Sequence, residues 1–260
     1  MIVQDKVIVV TGVGPGLGSE VARIALRDGA RVVIGSRREK KLAAAAAELD
    51  PTGERVAYRA TDITVAEQCD ALMQTAVDRF GGVDALVQVA AFDAIFGTLQ
   101  TTSAEDWMKS MQANVVGNMQ IARAAVPHLR GRGGGSIVLI GSQSMWLPPA
   151  MAQIAYAAAK GALVAAMKHM VTELGPDKIR VNMVVPTYMW GPPVQMYVDW
   201  QASERKVDKQ VVIDEIASRM PLGEIPADED VAEACVFFCS DRARMITGET
   251  LLVNAGEMMR

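Results

Sequence analysis

The chain has 260 residues, a formal net charge of −4 and a pI near 5.3, and half of its residues are apolar. This length and composition suit a single α/β domain spanning 1–260, and the acidic balance argues against nucleic acid or an anionic membrane surface as a partner. No apolar run approaches the roughly 20 residues that cross a bilayer, and the chain enters its first apolar strand almost at once, so we expect a cytoplasmic protein without a secretory signal.

Strand-like apolar runs alternate with helix-periodic stretches along the chain. Strands are predicted at about 6–11, 31–35, 55–60, 84–89, 135–140, 179–185 and 250–253. Helices are predicted near 17–28, 38–49, 65–80, 103–130, 152–174 and 229–239. This alternation predicts an α/β protein with a doubly wound parallel sheet (a Rossmann fold) of about seven strands, with helices on both faces. The stretch 187–220 interrupts the alternation, and we expect it to form a substrate-binding lid.

A glycine-rich turn follows the first predicted strand and leads directly into an amphipathic helix. Glycines let the backbone turn tightly and approach a pyrophosphate, and the N–H groups at the helix start bind the anion. Strand, turn and helix in this order predict a dinucleotide site, for which the alternative is a surface turn without a ligand. The lack of a Gly-Lys-Ser/Thr sequence excludes a P-loop. The predicted dinucleotide contacts here are Gly12, Gly14, Gly16, Leu17 and Gly18.

Three residues at the end of the second predicted strand bear on the choice of dinucleotide. An acidic side chain there would accept hydrogen bonds from a free ribose and repel a 2′-phosphate. The chain instead has Ser36, Arg37 and Arg38, and guanidinium groups bind phosphate through paired, charge-assisted hydrogen bonds. We therefore predict NADP(H) as the cofactor. NAD(H) is not excluded, because the two arginines also fit a solvated basic turn at the head of a helix.

Tyr156 and Lys160 stand four apart on a predicted helix, so both side chains face the same side. An ammonium close to a phenol favours the phenolate and lowers a pKa that is ordinarily about 10. Such a pair can move protons near neutral pH. The alternative for the pair taken alone is ordinary helix packing, and the neighbouring motifs are what favour the chemical interpretation.

Together these motifs resemble the short-chain dehydrogenase/reductase family, and further matches follow in order along almost the whole chain. The resemblance implies an adenine contact at Asp62 and Ile63 after the third strand. It also implies a structural and catalytic asparagine at Asn114 and a catalytic serine at Ser142. The remaining cofactor contacts that it implies are Ala90, Ala91, Tyr156, Lys160, Pro186 and Met189.

The chemistry that this resemblance implies is hydride transfer between a nicotinamide and a secondary alcohol or ketone. Tyr156 would exchange a proton with the substrate oxygen, Lys160 would lower the pKa of the phenol and bind the nicotinamide ribose, and Ser142 would hydrogen-bond the same oxygen. Asn114 would hold a lysine-linked water chain and the local helix geometry. Ser142 precedes Tyr156 by fourteen positions rather than the family's usual thirteen, so Ser144, at twelve, is the alternative serine.

Two segments depart from the family pattern, and both bear on the cofactor. Gln88-Val89-Ala90-Ala91 replaces Asn-Asn-Ala-Gly after the fourth strand, so an asparagine that braces the sheet is lost and Ala91 adds a methyl group beside the cofactor. Gly191 stands where a cofactor-binding threonine is common. We expect catalysis to survive these changes and cofactor affinity to be altered.

Large apolar side chains concentrate in the two segments that flank the predicted reaction centre, although aromatic residues are only 5% of the chain. Apolar pockets suit apolar ligands, and methionine adapts to irregular shapes. We predict a bulky, largely apolar small-molecule carbonyl or alcohol as the substrate. Burial in an oligomer is the rival explanation, and we expect a homotetramer, with a homodimer as the alternative. The predicted substrate contacts are Ser142, Ser144, Trp146, Tyr188, Trp190 and Met196.

No metal site is predicted. Cys235 and Cys239 lie four apart on a predicted helix and, with Cys69, make an odd number that suits a reducing compartment. Neither His128 nor His169 has a partner at metal-ligand spacing.

Three functions remain open at this point. The first is the NADP(H)-dependent oxidoreductase described above. The second is a 3-oxoacyl-thioester reductase of the same family, which would need basic residues near the entrance for its phosphopantetheine carrier. The third is a non-catalytic, cofactor-sensing protein, which the complete set Asn114, Ser142, Tyr156 and Lys160 disfavours.

Overall fold

In the computed structural model, which describes residues 1–259, seven strands form one parallel sheet. The strands are β1 (Val7–Thr11), β2 (Arg31–Ser36), β3 (Val56–Ala60), β4 (Ala85–Gln88), β5 (Gly135–Ile140), β6 (Ile179–Pro186) and β7 (Thr250–Val253). Their order across the sheet is β3-β2-β1-β4-β5-β6-β7, so the chain winds outward from β1 in both directions. The predicted doubly wound Rossmann sheet is confirmed.

Helices cover both faces of the sheet. They are α1 (Leu17–Arg27), α2 (Glu39–Leu49), α3 (Ala66–Phe80), α4 (Ala104–Met111), α5 (Gly117–Gly131), α6 (Ile154–Leu174), α7 (Pro192–Arg205), α8 (Lys209–Ala217) and α9 (Asp228–Cys239). Among residues 1–259, no helix has both the length and the apolar character needed to cross a membrane.

Two cores lie on opposite sides of the sheet because alternate strand residues point to opposite faces. In β1, Ile8 and Val10 join a core with residues of α1, α2 and α9. Val7 and Val9 join the other core, with residues of α3, α5 and α6. Strands that are buried on both faces read as continuous apolar runs, which is why the sequence predicts their positions to within two residues.

The carboxyl end of β1 lies where the strand order reverses, between β2 and β4. The strand register aligns Thr11 with Gly35 on one side and with Gln88 on the other. The glycine turn after β1 is therefore flanked by the segments that follow β2 and β4. In doubly wound sheets this crevice is the place where ligands bind.

The prediction of one uninterrupted helix at 103–130 is wrong in one detail, the turn in its middle. The structure has α4 and α5 joined by a π-helical turn over Gln112–Val116, and Asn114 in that turn is fully buried. A π-helical turn is a single-turn widening of an α-helix and occurs frequently at functional sites. The apolar periodicity of the sequence does not show it, because the helix continues on both sides.

The stretch 187–220, predicted as a substrate-binding lid without assigned helices, contains the two helices α7 and α8. They pack against each other around a small core of their own, separate from the two sheet cores. Its fully buried members are Val198, Ala202, Val212, Ile216 and Met220.

Candidate active site

The glycine turn between β1 and α1 is packed too closely to admit a side chain at two positions. A Cβ on Gly12 would lie 2.6 Å from the Cα of Ala90, and one on Gly18 would lie 2.5 Å from the carbonyl oxygen of Gly12. Gly16 has a φ of +112°, which glycine adopts without strain. Gly16 is the N-cap of α1 and has no side chain to cap the helix, so the N–H groups of Leu17 and Gly18 are left for a ligand, while that of Ser19 donates to the carbonyl oxygen of Gly16 at 3.0 Å. A dinucleotide pyrophosphate fits this cradle.

The end of β2 carries positive charge into the same cavity. Ser36, Arg37 and Arg38 all line it, and both arginines are exposed. Lys41, in the first turn of α2, lines the cavity beside them and is a third cation that the sequence analysis did not select. Its position three residues after Arg38 places it one helical turn away, and this spacing could have identified it. The cluster of three cations suits a phosphate ester.

Asp62 and Ile63 lie at the cavity after β3. The Oδ1 atom of Asp62 accepts hydrogen bonds from the Thr64 N–H at 2.9 Å and from the Thr64 hydroxyl at 2.7 Å. Burial raises the pKa of Asp62, but these hydrogen bonds and the charge of Arg37 outweigh it, so the pKa lies below its usual value. Asp62 is therefore a fixed, ionised acceptor, while Ile63 is mostly buried beneath Gly117.

Tyr156 and Lys160 lie on one face of α6 and both line the cavity. The Nζ of Lys160 donates a hydrogen bond of 2.7 Å to the carbonyl oxygen of Ile140 and lies 5.6 Å from the centre of the Tyr156 ring. Burial lowers the pKa of Lys160 from 10.5 to about 8, and the negative charge of Asp93 opposes this effect. The lysine is therefore a fully buried amine that is fixed in place by the end of β5.

The pKa of the Tyr156 phenol is not lowered in this structure, and the predicted effect of Lys160 on it stays a prediction. Burial raises the pKa of Tyr156 above its usual value, and the negative charge of Asp93 adds to the rise. A hydrogen bond with Ser142 acts in the opposite direction without cancelling it. Burial outweighs this hydrogen bond because removing a phenolate from water is costly. The phenol is thus held in its protonated form.

Ser142 and Ser144 share one hydrogen bond at the cavity. Their hydroxyl oxygens lie 2.8 Å apart, and the N–H of Ser144 donates to the Ser142 hydroxyl at 3.3 Å. Ser142 is also the serine whose hydroxyl interacts with the Tyr156 phenol. Ser142 therefore touches the phenol directly, and Ser144 contacts the phenol's partner.

Asn114 does not line the cavity. Its Nδ2 donates to the carbonyl oxygen of Phe92 at 2.8 Å, and its Oδ1 accepts from the Phe92 N–H at 2.9 Å. Asn118 donates to the carbonyl oxygen of Asn114 at 2.9 Å. These bonds tie the π-helical turn to the segment after β4, so the geometry gives Asn114 a positioning role.

The altered segment after β4 has a structural consequence. Gln88 is almost fully buried at the end of β4, and neither its amide nitrogen nor its amide oxygen has a hydrogen-bond partner within residues 1–259. The hydroxyl of Thr11, its register neighbour on β1, is also buried without a partner in that range. Such groups cost about 1–3 kcal/mol each. Ala90 and Ala91 follow and line the cavity beside the glycine turn.

The cavity has a volume of about 1480 Å³ and extends from the cations after β2 to the segment after β6. Every residue predicted to bind the cofactor lines it, including Pro186 and Met189 at the end of β6. Of the predicted substrate contacts, Ser142, Ser144 and Tyr188 line it. Further apolar lining comes from Phe92, Phe96, Leu147, Met151, Val194 and Tyr197.

Three predicted substrate contacts lie elsewhere. Trp146 packs into the core with α3, α5 and α6. Trp190 lines a shallow depression beside Glu20 and Arg23. Met196 is exposed to solvent, because α7 turns its neighbours Val194, Tyr197 and Val198 inward at helical spacing and Met196 to the opposite face.

Several polar cavity residues were missed by the sequence analysis. Glu257 accepts hydrogen bonds from Gln143, at 2.8 Å, and from the hydroxyl of Thr187. Arg219 lies 3.9 Å from the other oxygen of Glu257, and its guanidinium stacks on the Tyr188 ring at 5.1 Å. Glu257 follows the carboxyl end of β7 closely, and this position could have identified it as a cavity residue from the sequence. Arg219 lies far from any strand end in the sequence, so no such position marks it.

Comparison with known proteins agrees with this geometry. A family model described as Enoyl-(Acyl carrier protein) reductase matches residues 12–257. The Dehydrogenase/reductase SDR family member 4 of Pongo abelii is 35% identical over 257 residues, which is 98% of this chain and 88% of that protein.

Two solved structures are also similar. L-Sorbose reductase from Gluconobacter frateurii, complexed with NADPH and L-sorbose, superposes with a TM-score of 0.93 at 28% identity over the full length of both chains. An actinorhodin polyketide ketoreductase with NADPH has a TM-score of 0.88 at 28% identity over 99% of each chain. The family model and the relative point to the same family of enzymes. Tyr156 and Lys160, the tyrosine and lysine that the resemblance to this family predicts, both line the cavity. The chain therefore belongs to the short-chain dehydrogenase/reductase family, and it is an oxidoreductase that acts on CH–OH donors.

Proposed function

We propose that the protein transfers a hydride between NADP(H) and a ketone or secondary alcohol on a bulky, largely apolar substrate. The observation that carries the proposal is the single cavity that holds Tyr156, Ser142 and Lys160 at one end and three cations at the other. The cofactor supplies or accepts the hydride when it is bound. The chain's own residues bind it, orient the substrate and move the proton.

In this proposal Tyr156 is the proton donor when a ketone is reduced. Its raised pKa keeps the phenol protonated, which is the form that donates to a developing alkoxide. Ser142 donates a second hydrogen bond to the same substrate oxygen and fixes its position. Lys160, anchored on Ile140, places a positive charge beside the phenol as it loses its proton. Asn114 holds the segment at Phe92 in place.

Replacing Ser142 by Ala should lower turnover by about a hundredfold, the typical effect of removing one oxyanion donor. Ser144→Ala is the matched control, because it removes a hydroxyl that is 2.8 Å away but does not contact the phenol. Steady-state kinetics with one active ketone compare the two variants. A damaging Ser144→Ala together with a mild Ser142→Ala would reverse the assignment of the two serines.

The choice of NADP(H) is supported by charge. Arg37, Arg38 and Lys41 line the end of the cavity where the ribose of the adenosine would lie, and Ser36 replaces an acid at the end of β2. Two of the similar solved structures, the L-sorbose reductase and the actinorhodin ketoreductase, carry NADPH. Exposed cations bind a 2′-phosphate less strongly in salt, so the preference depends on ionic strength.

NADPH should bind more tightly than NADH, because the 2′-phosphate gains charge-assisted contacts of about 1.5–3 kcal/mol. This difference corresponds to roughly ten- to a hundredfold in Kd. Ser36→Asp combined with Arg37→Ala should reverse the order, since a carboxylate accepts from a free ribose and repels phosphate. Fluorescence titration of both reduced cofactors measures the preference. Equal or tighter binding of NADH by the unaltered protein would assign it to the NAD users.

The substrate part of the proposal is supported by the apolar lining from Phe92, Phe96, Leu147, Met151 and Tyr197. We further propose that α7 and α8 form the lid over this end of the cavity. Their separate small core lets them move as one unit, and an ion pair of 2.6 Å between Asp199 and Lys209 lies on their outer face. Lids of this kind commonly set the rate of product release.

A second candidate is a 3-oxoacyl-thioester reductase. The family model that matches the chain is described by an acyl carrier protein substrate, and Arg219 supplies a cation at the cavity. A panel of ketones, steroids, cyclic terpenoid alcohols, ketoses and acyl thioesters, assayed with NADPH and with NADP+, separates the candidates. Activity confined to acyl thioesters would select the second, and no turnover of any ketone or alcohol would contradict both.

We also propose a cytoplasmic homotetramer. Cys69, Cys235 and Cys239 are free and buried, which suits a reducing compartment. Met108 and Val116 are large apolar side chains exposed on the α4–α5 surface, where a second copy could cover them. Cell fractionation tests the location, and light scattering tests the tetramer against a dimer.

A further inference from the structure

The carboxylate of Asp228 occupies the space between the glycine turn and the start of α7. Its Oδ2 lies 3.3 Å from where a Cβ of Gly16 would be, and it lies closer still to where a Cβ of Gly191 would be. Asp228 lines the main cavity as well as the shallow depression beside it. The Asp228 side chain therefore fits only because residue 191 is a glycine. Its carboxylate faces the predicted position of the pyrophosphate.

No hydrogen-bond or ion-pair donor within residues 1–259 satisfies this carboxylate, whereas neighbouring acids are paired. Arg23 of α1 contacts Glu20 at 2.6 Å and Glu229 at 2.9 Å. Asp230 accepts the Ala227 N–H at 2.8 Å. The cation nearest the cluster is thus taken up by other carboxylates, and Asp228 is left to interact with whatever enters the cavity.

The charged groups that face Asp228 come from two helices. Glu20 and Arg23 lie on α1, and Glu229 and Asp230 lie next to Asp228 on α9. Burial raises the pKa of Asp228 above its usual value, and the negative charge of Glu20 adds to the rise. Its protonated form is therefore more populated in mildly acidic solution than that of an exposed aspartate.

We propose that Asp228 sets the affinity for the dinucleotide through its protonation state. This inference rests on the proposed cofactor. When neutral, the carboxyl donates a hydrogen bond to a pyrophosphate oxygen at the glycine turn. When ionised, it repels the same oxygen. Affinity is therefore highest below the pKa of Asp228 and falls as pH rises through it.

The thermodynamic linkage between protonation of Asp228 and dinucleotide binding sets how much the affinity changes with pH. A pyrophosphate that raises the pKa of Asp228 by one unit loses about tenfold in affinity between the acidic and the alkaline limits. The opposite sign would hold if the carboxylate bound the cofactor only through a cation. The direction of the pH dependence thus reports on the contact itself.

Fluorescence titration of NADH and NADPH across about pH 4–9, a range that begins near the ordinary pKa of an aspartate and extends upward from it, tests the proposal. The NADH arm is decisive, because NADPH carries a 2′-phosphate that itself titrates near pH 6. For the unaltered protein, Kd for NADH should rise about tenfold across this range. Asp228→Asn should bind with the affinity of the acidic form at every pH, since the amide is neutral and still donates.

Two further variants separate charge from hydrogen bonding. Glu229→Gln removes the same charge from the same helical turn at an exposed site, and it should keep the pH profile of the unaltered protein. Asp228→Ala should also lose the pH dependence but bind more weakly than Asp228→Asn, because it cannot donate. Thermal unfolding of each variant verifies that it is folded.

Parallel profiles for the unaltered protein and Asp228→Asn would overturn the proposal while leaving the proposed function intact. Loss of the pH dependence in Glu229→Gln would also overturn it, since the effect would then belong to the general charge of α9. A failure of the unaltered protein to bind either dinucleotide at any pH would refute the proposed function, and this inference with it.

Discussion

Replacing Tyr156 by Phe is expected to lower turnover by about 10²–10⁴-fold, the contribution of one general acid or base, while NADPH continues to bind. The substitution keeps the ring and removes only the proton and its oxygen. Because burial holds the phenol protonated, the loss should be present throughout the neutral pH range in the direction of ketone reduction. Stopped-flow kinetics and a fluorescence titration measure the two quantities separately.

Tyr197→Phe is the matched control for this experiment. Tyr197 also lines the cavity but lies on α7, so it tests the loss of a phenolic hydroxyl away from Lys160. We expect a change in KM with turnover largely kept. A Tyr156→Phe protein that retains more than a tenth of the original turnover would remove Tyr156 from the role of proton donor.

Replacing Lys160 by Met is expected to remove most of the turnover and to weaken NADPH binding, because the lysine is assigned to the phenol as well as to the cofactor. The same variant should change how stability depends on pH. Burial lowers the pKa of Lys160 in the folded protein from 10.5 to about 8. Between these values the unfolded chain binds more protons than the folded one, so the amine contributes stability that increases as pH rises from about 8 to 10.5.

The difference in unfolding free energy between the unaltered protein and Lys160→Met should therefore shift in favour of the unaltered protein by about 3 kcal/mol over this range. Urea unfolding at several pH values measures it. Lys168→Met, at an exposed position of the same helix, is the control and should not show this shift. A flat difference for Lys160→Met would mean that the buried amine does not titrate in this range.

Much of the site follows from the sequence because its residues occupy positions that simple geometry defines. The glycine turn, the end of β2 and the segment after β4 all lie at the carboxyl ends of adjacent strands, and Tyr156 and Lys160 share a helix face. These relations are local or follow from strand order. They do not require knowledge of how side chains pack.

The predictions that were wrong or missing depend on how side chains pack in three dimensions. Met196 was placed in the cavity because segment 187–220 was not recognised as helical, so the inward face of α7 was unknown. Trp190 precedes α7, and the sequence does not show that it lies beside Glu20 and Arg23 instead. The raised pKa of Tyr156 depends on burial in three dimensions, which the spacing to Lys160 cannot show. Arg219 reaches the cavity through contacts distant in sequence, and nothing in its neighbours marks it.

The separate core of α7 and α8 has a consequence for how this protein can evolve. Substitutions at Val198 or Ile216 are absorbed by a cluster that shares no fully buried residue with the cores behind the glycine turn and α6. Selection for a new substrate can therefore act on one module while the inherited chemistry stays constant in the other. If the pair is the lid proposed above, we expect that exchanging it between relatives changes which molecule is recognised and leaves the reaction as it was.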